Sequence, residues 1–243
     1  MKIILETIVG STLHGTSVDD GLEDLDLMAI GVEDPNRFLG FSVEDTIVTR
    51  TKPDGVRSEA GDVDYVCYGL KKYLRLALAG NPTLLLALFA PKDKIRILTE
   101  EGKQLQALAP HIVSKQIFNP FRGYMKQQHD RLMGLAGQKN VTRPELIEKY
   151  GFDTKYAGHT VRLGYQGIEL LKTGRLELPT PKRDIIVDVR TGKYTLDQIS
   201  MMINILEGSL VNAFETSKLP EHPDFEKVEA WMIDQYINTW AEK

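Results

Sequence analysis

Two aspartates separated by a single residue, Asp24 and Asp26, lie in a segment with the alternating pattern of a β-strand. Successive side chains of a strand point to opposite faces, so the two carboxylates project together while Leu25 and Leu27 point into the core. Two like charges at this separation repel each other unless a cation lies between them. The pair therefore predicts a metal site.

Magnesium is the cation that this pair suggests, because it prefers oxygen ligands and is usually bound by one or two carboxylates together with substrate phosphates. A glycine turn, Gly10-Ser11, precedes the aspartates. Glycine lets backbone N–H groups approach a phosphate closely, and serine adds a hydroxyl donor. A short helix from about Thr12 would direct its positive N-terminal end at the same phosphate. These segments predict a phosphate-bearing substrate bound with Mg²⁺ or Mn²⁺.

A third carboxylate is expected in a second predicted strand, because a two-metal displacement usually needs one more acidic group to orient or deprotonate the attacking hydroxyl. Asp62 and Asp64 share one face of that strand. Asp64 lies deeper in the apolar run, where the strand is held more firmly against its neighbour. We predict Asp64 as the third carboxylate and keep Asp62 as the alternative.

Basic residues recur with helical spacing in the second half of the chain. Lys155, His159 and Arg162 stand at i, i+4 and i+7, which places them within about 20° of one another around a helix. This stripe faces either solvent or a cleft. A second basic stripe lies on the helix predicted after Gly69, and of its members we assign a functional role to Lys72 only. His14 is interpreted as structural or solvated.

The chain changes character along its length. The first part, to about residue 90, has short β-rich runs at 3–9, 25–32, 45–51 and 62–67. Helical periodicity dominates from Gly69 onward, with later candidates at 100–108, 120–136, 143–150, 154–173, 195–216 and 223–240. An apolar run at 184–189 is interpreted as a short strand or an extended loop. We interpret Asn81-Pro82-Thr83 as the end of one helix and the start of the next. A role for Thr83 in substrate binding is a secondary interpretation.

Strands followed by helices predict an α+β fold, with a small mixed sheet and then a helical domain. We place the catalytic domain at residues 1–115 and the helical domain, which contributes basic residues to the cleft, at residues 116–243. Both parts are long enough to bury a core in a chain of 243 residues that is 42% hydrophobic.

Composition narrows the class of protein. The net charge of −4 argues against extensive nonspecific nucleic-acid binding, which rests on many phosphate contacts. The sole cysteine, Cys67, can form no internal disulfide, and no Cys/His spacing resembles a zinc site, so any metal must have oxygen ligands. No window is apolar enough for a membrane span, and Glu6 comes too early for a signal peptide. We expect a cytoplasmic protein without a membrane partner.

The order of these motifs resembles a known family. The Gly10-Ser11 turn, the Asp24/Asp26 strand and a later aspartate are similar to the nucleotidyltransferase signature of the DNA polymerase beta superfamily. Further segments resemble its branch of predicted nucleotidyltransferases called the RNA repair pathway DNA polymerase beta family: Asp34-Pro35, Phe38-Leu39-Gly40-Phe41, residues 70–76, Gly80-Asn81-Pro82-Thr83, residues 153–163, Gly167 to Leu171 and Gly174-Arg175. The similarity covers roughly residues 5–180. Glu23 departs from the pattern, since a serine commonly precedes the first aspartate.

The resemblance implies magnesium-dependent transfer of a nucleoside monophosphate from a nucleoside triphosphate to a hydroxyl acceptor, with an RNA 3′ end as one acceptor. It implies that Asp24 and Asp26 hold the metal that bridges the triphosphate and that Gly10 and Ser11 cradle the β and γ phosphates. Asp64 would hold a second metal against the acceptor hydroxyl. The resemblance also favours contact of the Lys155, His159 and Arg162 stripe with the triphosphate or the acceptor. We assign these three residues and Lys72 to nucleotide binding.

Two other functions compete with this one. A nucleotide-binding regulatory module of the same fold without turnover is suggested by Glu23 and by the twelve residues between Ser11 and Asp24. A glycosyltransferase could use two such aspartates to hold a nucleotide sugar. That function predicts a preceding βαβ unit, and only 23 residues precede Asp24.

Overall fold

The computed structural model describes residues 1–18, 24–41, 44–52, 61–135 and 143–242. A five-stranded sheet with the order β3-β4-β2-β1-β5 lies in the N-terminal part. Its strands are β1 (Lys2–Ile8), β2 (Leu25–Val32), β3 (Thr46–Arg50), β4 (Val63–Gly69) and β5 (Ile95–Leu98). The four strands predicted from the sequence are all present, and the α+β class is confirmed. Glu23 lies outside the described residues.

The sheet is mixed because β2 and β4 run parallel while every other neighbouring pair is antiparallel. The inner strand β2 has six consecutive buried residues from Leu27 to Val32. Such a run fits an inner strand that is covered on both faces. Asp24, directly before β2, and Asp26 within it are only half-buried, so this end of the strand remains accessible to a ligand.

The strand β5 was not expected, because the sequence pattern indicated helices from Gly69 onward. Four residues, of which Arg96 and Ile97 are exposed, carry too few apolar positions to predict a strand. It forms at the sheet edge through long-range pairing with β1, where Leu98 is the partner of Leu5. A short edge strand of this kind is decided by its neighbour rather than by its own sequence.

Twelve α-helices lie in the described residues, and none of them is both long and apolar enough to cross a bilayer. They are α1 (Gly10–His14), α2 (Pro35–Leu39), α3 (Leu70–Leu78), α4 (Leu86–Phe89), α5 (Glu100–Ala107), α6 (Ala109–Ile112), α7 (Phe118–Leu132), α8 (Pro144–Tyr150), α9 (Thr154–Thr173), α10 (Arg183–Arg190), α11 (Leu196–Thr216) and α12 (Phe225–Ala241). The six later helices predicted from periodicity are present, with small shifts at their ends.

The prediction for residues 184–189 was wrong, because this apolar run lies in the helix α10 rather than in a strand or an extended loop. Ile186 and Val189 are three residues apart and both are buried, which is the spacing of one helix face. That face packs against α9, where Ile186 approaches Gly158. Two buried positions in eight residues are too few for the sequence alone to distinguish helix from strand.

The helix α9 has strong signals at both ends. The carboxylate of Asp153 accepts hydrogen bonds from the backbone N–H groups of Lys155 and Tyr156, at 2.9 and 3.2 Å, and so caps the N-terminus. Gly174 ends the helix in the left-handed conformation, with a φ of 70°. Between these ends α9 packs against α7, α10 and α11. The basic stripe is therefore held on the central helix of the C-terminal part.

The last helix, α12, packs back onto the sheet. The hydroxyl of Tyr236 donates to the buried carboxylate of Glu33 at 2.6 Å, and Trp240 Nε1 donates to the Glu33 backbone carbonyl at 2.8 Å. Buried apolar side chains from residues 1–115 and 116–243 belong to one continuous cluster. The division into two domains at this position stays a prediction.

Candidate active site

Three aspartates meet at the start of two neighbouring parallel strands. Asp26 on β2 is the register partner of Asp64 on β4, and Asp24 lies two residues before Asp26 on the same face. The ligand atoms of the three carboxylates all lie within 4.8 Å of one another. The structure thus brings together the residues that the sequence assigned to the metal site.

Asp62, the alternative third carboxylate, is directed elsewhere. It precedes β4, and its Oδ1 accepts a hydrogen bond from Thr51 Oγ1 at 2.8 Å. It does not belong to the cluster of ligand atoms formed by the three other aspartates. The register between β2 and β4 sets Asp64 beside Asp26, whereas the Asp62 carboxylate bonds to the Thr51 hydroxyl instead.

The carboxylates repel one another. Burial and, to a smaller extent, the neighbouring charges of Asp24 and Asp64 together raise the pKa of Asp26 from 3.8 to about 6, against smaller opposing effects of Lys155 and Lys52. The Oδ1 atom of Asp64 is buried and accepts no hydrogen bond from the described residues. A buried carboxylate oxygen without a donor is costly. The cluster therefore fits a divalent cation, whose preferred ligands are such oxygens.

The glycine-serine turn lies directly against this cluster. The backbone N–H of Val9 donates to the Asp26 carbonyl at 2.9 Å, which ties the end of β1 to β2. Gly10 follows with a φ of 69°, and a Cβ atom there would lie 3.1 Å from Asp26 Cγ. Ser11 lines the same cleft. Only glycine permits both the backbone conformation and this close approach to the carboxylate.

The basic stripe of α9 faces the cleft rather than solvent. Lys155, His159 and Arg162 all line it, opposite the carboxylates. Burial lowers the pKa of Lys155, as do Arg143 and Arg190, while Asp24 and Asp26 raise it by smaller amounts. Because Asp24 and Asp26 affect the pKa of Lys155, and Lys155 affects that of Asp26, the Lys155 ammonium lies close to the acidic cluster.

A buried histidine supports the stripe from the side of α1. Arg162 donates to His14 Nε2 at 2.9 Å and to Gln166 Oε1 at 2.7 Å, while Gln166 Nε2 lies 3.2 Å from His14 Nδ1. Burial, followed by the charge of Arg162, lowers the pKa of His14 well below its usual value. His14 is therefore neutral and accepts a hydrogen bond from Arg162, and this contact orients the guanidinium toward the cleft.

Among the other residues that line the cleft are four polar ones, of which the sequence assigned a role, a secondary one, only to Thr83. Arg190 extends from the end of α10, where its guanidinium donates to the Thr16 carbonyl. Gly158 makes room for it, because a Cβ there would lie 2.6 Å from Arg190 Cγ. The others are Arg50, Tyr68 and Thr83. The sequence pattern pointed only to Thr83, through the helix break at Asn81-Pro82. The positions of the remaining three depend on strand pairing and on a helix that was not predicted.

Lys72 lies apart from the residues that line the cleft. Its Nζ atom forms an ion pair with Asp45 Oδ1 at 2.8 Å, and both side chains are partly exposed. Such an ion pair contributes little energy and breaks easily. Its role in nucleotide binding stays a prediction, which this position does not support.

The cleft as a whole has a volume of about 390 Å³, within the usual range for small-molecule sites. One wall has the acidic cluster and the other has Lys155, Arg162 and Arg190, with the neutral His159 between them. Oxygen atoms that can bind a cation therefore face positive groups that can bind an anion. This arrangement suits a metal-bound polyphosphate.

Comparison with known proteins gives a family match over most of the chain. A model of the RNA repair pathway DNA polymerase beta family matches residues 1–234. No curated protein matches the chain at a significant level. Among solved structures, a nucleotidyltransferase-like protein from Exiguobacterium sibiricum 255-15 aligns with 100% of this chain and 75% of its own, at 10% sequence identity and a TM-score of 0.31. The family match spans nearly the whole chain and supports a nucleotidyltransferase-like transferase.

Proposed function

The chain belongs to the RNA repair pathway DNA polymerase beta family, and on that premise we propose that it transfers a nucleoside monophosphate from a nucleoside triphosphate to a hydroxyl acceptor, releasing pyrophosphate. The observation that supports this proposal is the position of Asp24, Asp26 and Asp64 in one cleft with a basic wall. We propose an RNA 3′ end as the acceptor, in keeping with the description of the family.

Asp24, Asp26 and Asp64 would hold Mg²⁺ or Mn²⁺ through their clustered oxygens. When bound, such cations neutralise the charge that develops on the phosphates and on the attacking oxygen. The pKa of about 6 for Asp26 means that this carboxyl is largely ionised at neutral pH and ready to bind a cation. Repulsion within the cluster then favours the metal-bound state.

The chain's own groups position the triphosphate. The backbone at Gly10 and the Ser11 hydroxyl would donate hydrogen bonds to the terminal phosphates. Lys155, Arg162 and Arg190 would supply positive charge from the opposite wall. The neutral His159 can add a hydrogen bond but no charge, because burial holds its pKa well below the usual value. Positioning and charge stabilisation account for most of the acceleration in phosphoryl transfer.

Transfer requires an attacking hydroxyl on the far side of the α phosphorus. Asp64 would orient this hydroxyl and accept its proton. Its Oδ1 accepts no hydrogen bond from the described residues, and its charged neighbours are Arg50, 3.7 Å from Oδ1, and Lys52, 3.3 Å from Oδ2. A bond forms between the acceptor oxygen and the α phosphorus while the bond to the bridging oxygen breaks. The electron pair leaves with pyrophosphate.

The test is incubation with each of the four α-labelled nucleoside triphosphates, Mg²⁺ or Mn²⁺, and either an RNA with a free 3′ hydroxyl or a cell extract. We expect pyrophosphate release and label on the acceptor, with both lost in Asp26→Asn. Asp62→Asn is the matched control, because Asp62 lies beside the cluster without belonging to it, and it should retain transfer.

The alternative is a nucleotide-binding regulatory module that lacks turnover. Wild-type protein that binds a triphosphate with metal, yet releases no pyrophosphate with any acceptor in the extract, would establish this alternative. Equal transfer by wild type and Asp26→Asn would instead place the reaction outside this cleft.

A further inference from the structure

The strand order divides the cleft into two flanks. The Gly10-Ser11 turn follows β1, Asp26 lies on β2, Asp64 on β4 and Arg50 on β3. These strands are consecutive neighbours in the sheet, and Arg50 is the register partner of Asp64. The carboxylates therefore lie between the glycine-serine turn on one flank and the β4/β3 side on the other.

The β4/β3 flank has an apolar and aromatic lining. Val66 and Tyr68 follow Asp64 at two-residue steps and share its face of β4, and Met28 has the same relation to Asp26. Leu86 and Thr83 also line the cleft. Tyr68 is half-buried, so that part of its side chain remains available to a ligand.

In-line displacement assigns the two flanks to different substrates, because the attacking and leaving oxygens lie on opposite sides of the α phosphorus. If the triphosphate extends toward Ser11, as the proposed function requires, the acceptor must enter from the β4/β3 flank. We propose that this flank binds the 3′-terminal nucleotide of a single-stranded nucleic acid, with the terminal base stacked on Tyr68. The proposal rests on the proposed function for the direction of entry.

The chemistry of the flank favours a nucleic acid over a protein hydroxyl. A flat base suits an aromatic ring above the apolar floor of Met28 and Val66, and stacking of this kind tolerates every base. Tyr124 lies near enough to Tyr68 to contribute to the raised pKa of Tyr68, and it is 38% exposed. Its hydroxyl accepts a hydrogen bond from Asn81 Nδ2 at 3.2 Å. A second ring is thus available for the next base.

Polar groups on the same flank match the rest of a nucleotide. Arg50 lines the cleft, and Lys72 lies outside it but near Tyr68, so both can supply positive charge to a phosphate backbone that leaves the cleft on this side. Each has an acidic partner, Asp64 for Arg50 and Asp45 for Lys72. The hydroxyls of Tyr68 and Thr83 form no hydrogen bond with the part of the chain that the structure describes. Both can therefore bond to a base edge or to ribose without breaking an existing contact.

The test measures binding directly, by fluorescence anisotropy of 5′-labelled RNA and DNA of about eight nucleotides with a free 3′ hydroxyl. Without added metal, Tyr68→Leu should weaken oligonucleotide binding about tenfold, within the range for one stacked base. Tyr68→Phe keeps the ring and should restore the affinity. Tyr165→Leu is the matched control, a partly buried tyrosine outside the cleft. Stronger binding of RNA than DNA would identify ribose recognition.

Steady-state kinetics distinguish a defect in binding the acceptor from a defect in binding the triphosphate. Tyr68→Leu should raise the KM for the oligonucleotide about tenfold and change the KM for the triphosphate less than twofold, as a stacked base would require. The inference is overturned if wild type binds neither oligonucleotide, if Tyr68→Leu binds like wild type, or if a protein is the labelled acceptor. Tyr68-dependent binding without pyrophosphate release would defeat the proposed function and leave the nucleic-acid site standing.

Discussion

Gly10 lies directly against the carboxylate of Asp26, so close that a Cβ atom would stand 3.1 Å from Asp26 Cγ and overlap Oδ2. The φ of 69° at Gly10 is also one that residues with a side chain rarely adopt. The absence of a side chain at Gly10 therefore couples the turn to the acidic cluster. A substitution at Gly10 must displace Asp26, alter the turn, or both.

Gly10→Ala should abolish most transfer activity, because it pushes Asp26 out of the cluster, and it should destabilise the fold. Gly134→Ala is a matched control, since Gly134 has the same φ of 69° but open space around it. Backbone strain alone costs about 1–2 kcal/mol at either position. Denaturant unfolding and pyrophosphate release measure the two effects. Equal loss of activity in both variants would contradict a specific role for the Gly10–Asp26 contact.

Asp26→Asn should stabilise the metal-free protein at neutral pH. The pKa of Asp26 is raised from 3.8 to about 6, so the folded state binds more protons than the unfolded state between these values. Stability from this group is therefore present below pH 4 and lost as pH rises through 6. Because the carboxyl is only partly buried, we expect a gain of about 1–2 kcal/mol for the variant at pH 7.

Thermal or denaturant unfolding between pH 4 and pH 7 measures this effect, with Asp62→Asn as the control. The difference between Asp26→Asn and wild type should increase with pH. Metal with a non-hydrolysable triphosphate should stabilise wild type by about 2.7 kcal/mol at a hundredfold excess over Kd and the variant far less. Equal ligand stabilisation of both proteins would show that the aspartates are not the metal site.

The buried histidines should make the fold acid-sensitive. The pKa values of His14 and His159 lie well below the usual 6.5, so below pH 6.5 the unfolded state binds more protons. Their stabilising contribution is complete above pH 6.5 and is lost as pH falls toward the lowered pKa values. Asp26 acts in the opposite direction, so the measurement is best made in the Asp26→Asn background.

Unfolding of Asp26→Asn between pH 7 and pH 5 should show a loss of stability on acidification that His159→Gln reduces. His222→Asn removes an exposed histidine outside the cleft and is the control. If His159→Gln leaves the dependence of the free energy of unfolding on pH unchanged, this histidine is not held neutral in the folded state.

Arg190→Met should weaken nucleotide binding about tenfold to a hundredfold, the usual effect of losing a hydrogen bond to a charged group. Arg183→Met is the control, because Arg183 begins the same helix α10, pairs with Asp184, and is 58% exposed at its side chain. Titration with a fluorescent triphosphate measures the affinity, and thermal melting shows whether loss of the contact with Thr16 destabilises the fold. Equal affinities would exclude Arg190 from the phosphate site.

Local sequence patterns were sufficient to predict much of the fold and part of the candidate site. Alternation placed Asp24 and Asp26 on one face of β2, and the i, i+4, i+7 spacing placed Lys155, His159 and Arg162 on one side of α9. The caps at Asp153 and Gly174 agreed with the periodicity about where α9 begins and ends. Each of these features depends on residues that are close together in the sequence, so the local sequence is sufficient to predict it.

Tertiary structure decided which of these faces meet. Register between β2 and β4 chose Asp64 over Asp62, and burial against α9 turned residues 183–190 into a helix whose last residue, Arg190, enters the cleft. Pairing with β1 likewise made Ile95–Leu98 a strand. The same pairing of β4 with β2 brought Tyr68 into the cleft. Each outcome depends on contacts between residues far apart in sequence, whose energies no local pattern contains.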